Sequence, residues 1–192
     1  MAAATMVLVA ALAIVLTGPS DSGARPAGGG FVGSMPPEGL PAVDFALPDQ
    51  DGRLVRARDL RGRPFALTFL YSSCQDTCPT TASVIRSALV EAGVDVPVLA
   101  VSVDPENDTP ARARRFVAQR RLTGRMRFLV GTRAQLARVW KSFAIQPQGK
   151  DFEHSAYVLL VDAQGRRRVS FPFGLLTTDA LAHDLRLLAA GA

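Results

Sequence analysis

"FALTFLYSSCQDTCP", Phe65 to Pro79, sets an almost wholly apolar run directly against both cysteines of the chain. A short apolar run without two-residue alternation reads as a central strand covered on both faces. Upstream, "DFALPDQDGRLVRARDL", Asp44 to Leu60, reads as a short strand, a turn at Asp51-Gly52 and a second short strand over Leu54 to Ala57. Downstream, a helix is expected from Thr80 to Ala92, ended by Gly93, then a strand from Val96 to Val103. "DPENDTP" leads into a helix from Pro110 to Arg121, with Asp108 or Thr109 as N-cap and Pro110 at the first helical position. A strand from Met126 to Val130 precedes a helix from Thr132 to Phe143, where Thr132 and Gln135 make a capping box. "HSAYVLLVDAQGRRRVSF", His154 to Phe171, reads as a hairpin turning at Asp162 to Gly165, and a helix from Thr178 to Ala190 follows it.

Strands alternating with helices, then a hairpin and a last helix, predict an α/β sandwich: a central, mostly parallel sheet with an antiparallel C-terminal hairpin and flanking helices. Sites in such sheets gather at the carboxyl ends of the strands. The cysteines follow one central strand and Asp104 follows another, so both are expected on that edge.

With 192 residues, 48% of them hydrophobic, the chain is long enough for one well-buried core plus an appendage. The appendage is residues 1–24. Ala2 to Leu16 is apolar except for Thr5, a run of about 15 that suits a secretory signal or short anchor and falls short of a full membrane helix. No basic residue precedes it, the first being Arg25. "GPSDSGARPAGGG", Gly18 to Gly30, and the Pro/Gly-rich stretch after it make residues 25–42 a flexible linker, with the folded domain expected over 43–192. Net charge is +5 and almost all the positive charge is arginine. Clusters such as Arg112 to Arg121 and Arg166 to Arg168 read as solvated faces, and no nucleic-acid partner is expected without a recognition motif.

In an exported chain, two cysteines would ordinarily mean one structural disulfide. Here Cys74 and Cys78 stand four apart; if the stretch begins the helix, they lie on one face about one turn apart, where the unpaired N–H groups of a helix start favour thiolate. Pro79 suits the first turn. Thiolates serve both disulfide exchange and soft metals, and spacing alone leaves metal, redox and structural readings open. Structural zinc is disfavoured, because a closed site needs four ligands and the chain has two Cys and two His. Cu(I) accepts fewer ligands and prefers sulfur. His183, between Leu181 and Leu185, reads as a surface or packing residue. His154 stands where the hairpin begins. If that strand runs antiparallel to the one leading into Cys74, its beginning shares the cysteines' edge.

"FLYSSCQDTCP", "VSVDPENDTP" and "HSAYVLLVD", in that order, resemble the three signature blocks of the Sco/SenC family of copper chaperones, and the resemblance extends over roughly Gly29 to Ala190. It implies a thioredoxin-like fold held at a membrane and facing an oxidising compartment, here the periplasmic or extracytoplasmic side of the bacterial inner membrane. It further implies one copper ion, Cu(I) or Cu(II), bound by Cys74, Cys78 and His154. Delivery would be to the dinuclear copper site of cytochrome c oxidase subunit II or another copper-accepting protein, after loading by a copper donor protein. A reductant role toward the cysteines of that site overlaps with delivery. Gln75 stands where the family commonly has proline, and Asn107 where it often has a basic residue; neither removes a ligand. Asp104 reads first as a turn cap, and alternatively as a group that orients a ligand or meets the partner. The rival readings are a metal-free thioredoxin-like oxidoreductase, a thiol peroxidase, for which the "DFALPDQDG" opening speaks, and a plain binding module with a structural disulfide.

Overall fold

The structure, a computed structural model, describes residues 30–37, 40–147 and 156–191. The apolar segment at residues 2–16 and His154 lie outside them. No helix among the described residues is long and apolar enough to cross a membrane.

Two short strands, β1 (Ala46–Pro48) and β2 (Leu54–Arg56), form an antiparallel hairpin. Gly52 turns it at φ +78°, a conformation that costs glycine little. The Asp49 carboxylate holds the turn by accepting the N–H groups of Asp51 and Arg53, both at 2.9 Å.

Five further strands make the main sheet: β3 (Phe65–Leu70), β4 (Val98–Ser102), β5 (Met126–Leu129), β6 (Tyr157–Val161) and β7 (Arg167–Pro172), in the order β5-β4-β3-β6-β7. β3, β4 and β5 are parallel neighbours, while β6 runs antiparallel to both β3 and β7. β6 alone therefore opposes the other four, as the expected mostly parallel sheet with a C-terminal hairpin requires. Every residue of β3 and β4 is buried, which is why their sequences are continuous apolar runs. Thr68, the polar exception in β3, is satisfied by donating its hydroxyl to the Tyr157 carbonyl at 3.0 Å.

Four helices complete the domain: α1 (Thr77–Ala92), α2 (Pro110–Gln119), α3 (Arg133–Ser142) and α4 (Thr178–Ala189). The Thr109 side chain caps α2 with Pro110 directly after it, and Thr132 and Gln135 form the expected capping box on α3. Gly93, left-handed at φ +68°, ends α1. α1 and α4 pack on each other. α3 covers the sheet face that carries Phe69, sending the Phe143 ring to within 5.4 Å of it and the Trp140 indole N–H to the Ser102 carbonyl at 2.9 Å. The helix after the cysteines starts at Thr77, three residues earlier than expected, so Cys78 and Pro79 are inside its first turn.

Both sheet edges are covered. On β5, Phe128 N–H donates to Gln50 Oε1 at 2.7 Å and Val130 N–H to the Pro48 carbonyl at 2.9 Å, which binds the β1–β2 hairpin to that edge. On β7, Ser34 and Ser170 exchange backbone hydrogen bonds of 2.9 and 2.7 Å. Val32 and Gly33 donate their N–H groups to the fully buried Asp184 carboxylate on α4, at 2.8 and 2.9 Å. A Cβ at Gly33 would collide with Val169 and Phe171. Part of the stretch expected as linker, residues 25–42, is thus fastened to the domain; its partner carboxylate lies about 150 residues away, beyond the reach of any local pattern.

Candidate metal centre

β3 delivers the chain to the carboxyl edge of the sheet, and a short loop from Tyr71 leads to α1. Asp76 occupies the N-cap position but makes no capping hydrogen bond with its side chain. Cys74 takes that part: its Sγ accepts the Cys78 backbone N–H at 3.3 Å and lies 3.7 Å from the Thr77 hydroxyl. A sulfur thereby satisfies one of the orphan N–H groups at the helix start, where negative charge is favoured.

Both cysteines are free thiols; Cys74 is 8% exposed and Cys78 fully buried. Burial pushes the Cys74 thiol up, but the hydrogen bonds from Cys78, Asp76 and Thr77 outweigh it and the net direction is down. Burial pushes Cys78 up, and its hydrogen bond with Cys74 adds to the rise. Burial, then the hydrogen bond with Cys74, also raises the Tyr71 phenol, which keeps it a donor at neutral pH. The fold thus shifts the two sulfurs apart, Cys74 toward the thiolate and Cys78 toward the thiol. With limiting iodoacetamide, the reduced metal-free protein is expected to be labelled at Cys74 well before Cys78, as read by peptide mass mapping. Equal labelling would contradict the asymmetry.

The loop is tied down from the β4 side. Asp108, 5% exposed, accepts the Ser72 N–H at 2.7 Å on one oxygen and the Ser102 hydroxyl at 2.6 Å on the other. With Val103 N–H bonded to the Leu70 carbonyl at 3.0 Å, it clamps the ends of β3 and β4 together. Sequence reading offered Asp108 only as a candidate N-cap, a place that Thr109 takes. No local pattern reports its contact with Ser72, 36 residues away. Asp104 holds its own turn: its carbonyl accepts the Asn107 and Asp108 N–H groups at 3.2 and 2.9 Å, and its carboxylate the Asn107 side-chain amide at 2.9 Å.

Cys74 and Cys78 are brought together. Among the described residues no third His, Cys, Asp or Glu joins them to make a metal-holding group. His154 lies outside the described residues, but the strand that follows it is placed. β6 begins at Tyr157 and pairs antiparallel with β3, Val158 opposite Thr68, so it enters the sheet at the end of β3 that leads to Cys74. The condition set on the hairpin strand is met. Tyr157 packs its ring 5.4 Å from Phe69 and donates its hydroxyl to the Phe143 carbonyl at 2.8 Å. The other histidine, His183 on α4, has Nδ1 2.8 Å from Asp184 Oδ1 and belongs to the anchor of the N-terminal segment.

Two soft donors one turn apart, at the start of a helix and beside a strand entrance, can hold a soft metal ion or close to a disulfide. A family model described as SCO1/SenC matches residues 36–190. The SCO1 protein homolog of Bacillus subtilis is 29% identical over 132 residues, 64% of this chain and 68% of that protein. The chain spans about two thirds of the length of the first curated relatives it matches. Among solved structures, that of Bradyrhizobium japonicum ScoI with copper bound superposes with a TM-score of 0.65 at 30% identity, covering 77% of this chain and 98% of that one. BsSco, described as a member of the Sco family of cytochrome c oxidase assembly proteins with a disulfide switch, superposes with a TM-score of 0.70 at 22% identity over 83% of this chain and 99% of that one, which speaks to the shared thioredoxin-like fold.

Proposed function

The chain belongs to the SCO1/SenC family, and on that premise we propose that it is a copper chaperone, carrying one copper ion on Cys74, Cys78 and His154 and passing it to the dinuclear copper site of cytochrome c oxidase subunit II. The observation that carries this reading is the pair of free thiols held one helical turn apart, at the sheet edge where the strand following His154 begins. The copper-bound state of B. japonicum ScoI supports the choice of metal.

Copper is cargo here, and the donor set suits cargo. Thiolate and imidazole are soft enough to hold Cu(I), and three ligands leave room for an incoming thiolate to bind before the last one departs. Cys74, the less buried of the two sulfurs, is where such exchange begins. Closing Cys74 and Cys78 to a disulfide gives two electrons to an oxidant, releases two protons and removes both sulfur ligands, so loading follows the redox state. The same pair, when reduced, supplies the thiolate that a reductant of the acceptor's cysteines needs. The domain works on the extracytoplasmic side of the membrane, brought there by the apolar segment in residues 1–24.

Metal analysis of the reduced full chain in neutral detergent tests the reading: one copper per chain is expected, with loss of nearly all of it in Cys74→Ala and in His154→Ala. Full copper retention in His154→Ala would overturn the three-ligand site. Dithiol-dependent turnover of a disulfide substrate without any metal would favour a metal-free oxidoreductase instead.

A further inference from the structure

At the opposite end of the sheet from the cysteines, where β4 and β5 begin, lies a cleft of about 630 Å³. Arg53, Arg63, Arg114, Arg125 and Arg127 line it, brought together from the hairpin, the approach to β3, α2 and the start of β5. Two of the five are neutralised. Arg114 Nε lies 3.0 Å from Asp51 Oδ1 and the same guanidinium donates to the Gln50 carbonyl at 2.9 Å. Arg127 lies 3.9 Å from Asp49, a carboxylate whose other oxygen already accepts two backbone N–H groups. Arg125 gives a single hydrogen bond to the Val94 carbonyl at 3.3 Å. The Arg53 and Arg63 side chains have no hydrogen-bond or ion-pair partner among the described residues. These three guanidiniums share the cleft with one uncommitted carboxylate, Asp95.

This differs from the solvated arginine faces elsewhere. Arg166 and Arg168 are bound to Asp162, and Arg167 lies over the Phe143 ring at 4.2 Å. The cleft arginines are separated in sequence and converge only in the fold, around a floor that includes Leu99 and Met126. Apolar walls keep the field of like charges concentrated in a concavity rather than screened on an open surface. We propose that this cleft is a binding site for a phosphate-type oxyanion, a group with two or more negative charges whose oxygens accept forked bonds from Arg53, Arg63 and Arg125. It is independent of the copper reading, since it shares no residue with the cysteine edge.

The probe is inorganic pyrophosphate, titrated calorimetrically into the full metal-free chain in neutral detergent. Saturable binding of one per chain is expected, weakened at least tenfold in the Arg53→Gln/Arg63→Gln variant and unchanged in Arg112→Gln, whose arginine is exposed outside the cleft. Competition by short-chain phosphatidic acid, whose phosphate monoester approaches two negative charges, would assign the site to a lipid headgroup, and its absence to free phosphate compounds; either keeps the site. Heat that fails to saturate, an equal loss in Arg112→Gln, or binding of an oligo-glutamate peptide without pyrophosphate binding would overturn it. All exchanged side chains are exposed, and matching thermal melts verify that the variants fold.

Discussion

Replacing Phe69 with alanine is expected to lower the thermal unfolding midpoint by roughly 8–16 °C, the equivalent of about 4 kcal/mol. Phe69 is fully buried at the carboxyl end of β3, with the Phe143 and Tyr157 rings each 5.4 Å away. Its removal costs the transfer free energy of a phenyl ring, the cavity left behind and two aromatic contacts. The cavity would open where α3 ends and β6 begins, so the strand that follows His154 loses its support from below. Copper affinity is therefore expected to fall along with stability, although Phe69 touches no metal. Phe69→Leu keeps most of the volume and should lose less than half as much stability. A midpoint shift under about 3 °C in Phe69→Ala would mean that this edge can collapse to fill the space, and that the aromatic cluster does not hold β6.

Asp108 fixes the same edge by polar means, and its loss leaves two buried donors without an acceptor. Asp108→Ala is expected to destabilise the domain by about 3 kcal/mol, because the Ser72 N–H and the Ser102 hydroxyl each lose a bond to a charged group. Asp108→Asn keeps one acceptor and buries no charge, so its cost should stay near 1 kcal/mol. The two wild-type bonds differ from ordinary carboxylate contacts in their pH dependence. Burial pushes the Asp108 carboxyl above its usual value and Asp104 adds to the rise, while the bonds from Ser102 and Ser72 pull the other way. A carboxyl raised by folding binds its proton more tightly in the fold. Its stabilising contribution is complete below the unfolded-chain value of about 3.9 and is lost as pH climbs through the folded value. The wild type's advantage over Asp108→Asn should therefore be largest in acid and shrink toward neutral pH, as read from paired denaturant unfolding curves. A gap that widens as pH rises would contradict a raised carboxyl.

The elements that could be read along the chain are those whose cause is local. Phe65–Leu70 and Val98–Ser102 are apolar but for Thr68 and Ser102 because both faces of a central strand are covered, so their type follows from composition alone. Thr109-Pro110, the Thr132/Gln135 box and Gly93 mark helix ends because each satisfies a backbone group within four residues of itself. The cysteine pair is legible for the same reason: Cys78 lies in the first turn of α1 and Cys74, four residues earlier, caps that turn. α1 starts three residues earlier than its sequence pattern predicts, since Cys74 caps it through sulfur, outside the Ser/Thr/Asp/Asn pattern that usually marks such a start.

Interactions between near neighbours account for the set of strands and helices, their order, and the cysteine pair at the head of α1. Packing of the fold settles which distant groups meet. Asp184 captures Val32 and Gly33, Asp108 captures Ser72, and five scattered arginines converge on one cleft. The two carboxylate captures exist because a buried polar group takes whichever partner the fold brings within about 3 Å, regardless of its distance along the chain, and the arginines meet because one end of the sheet gathers elements that are far apart in sequence.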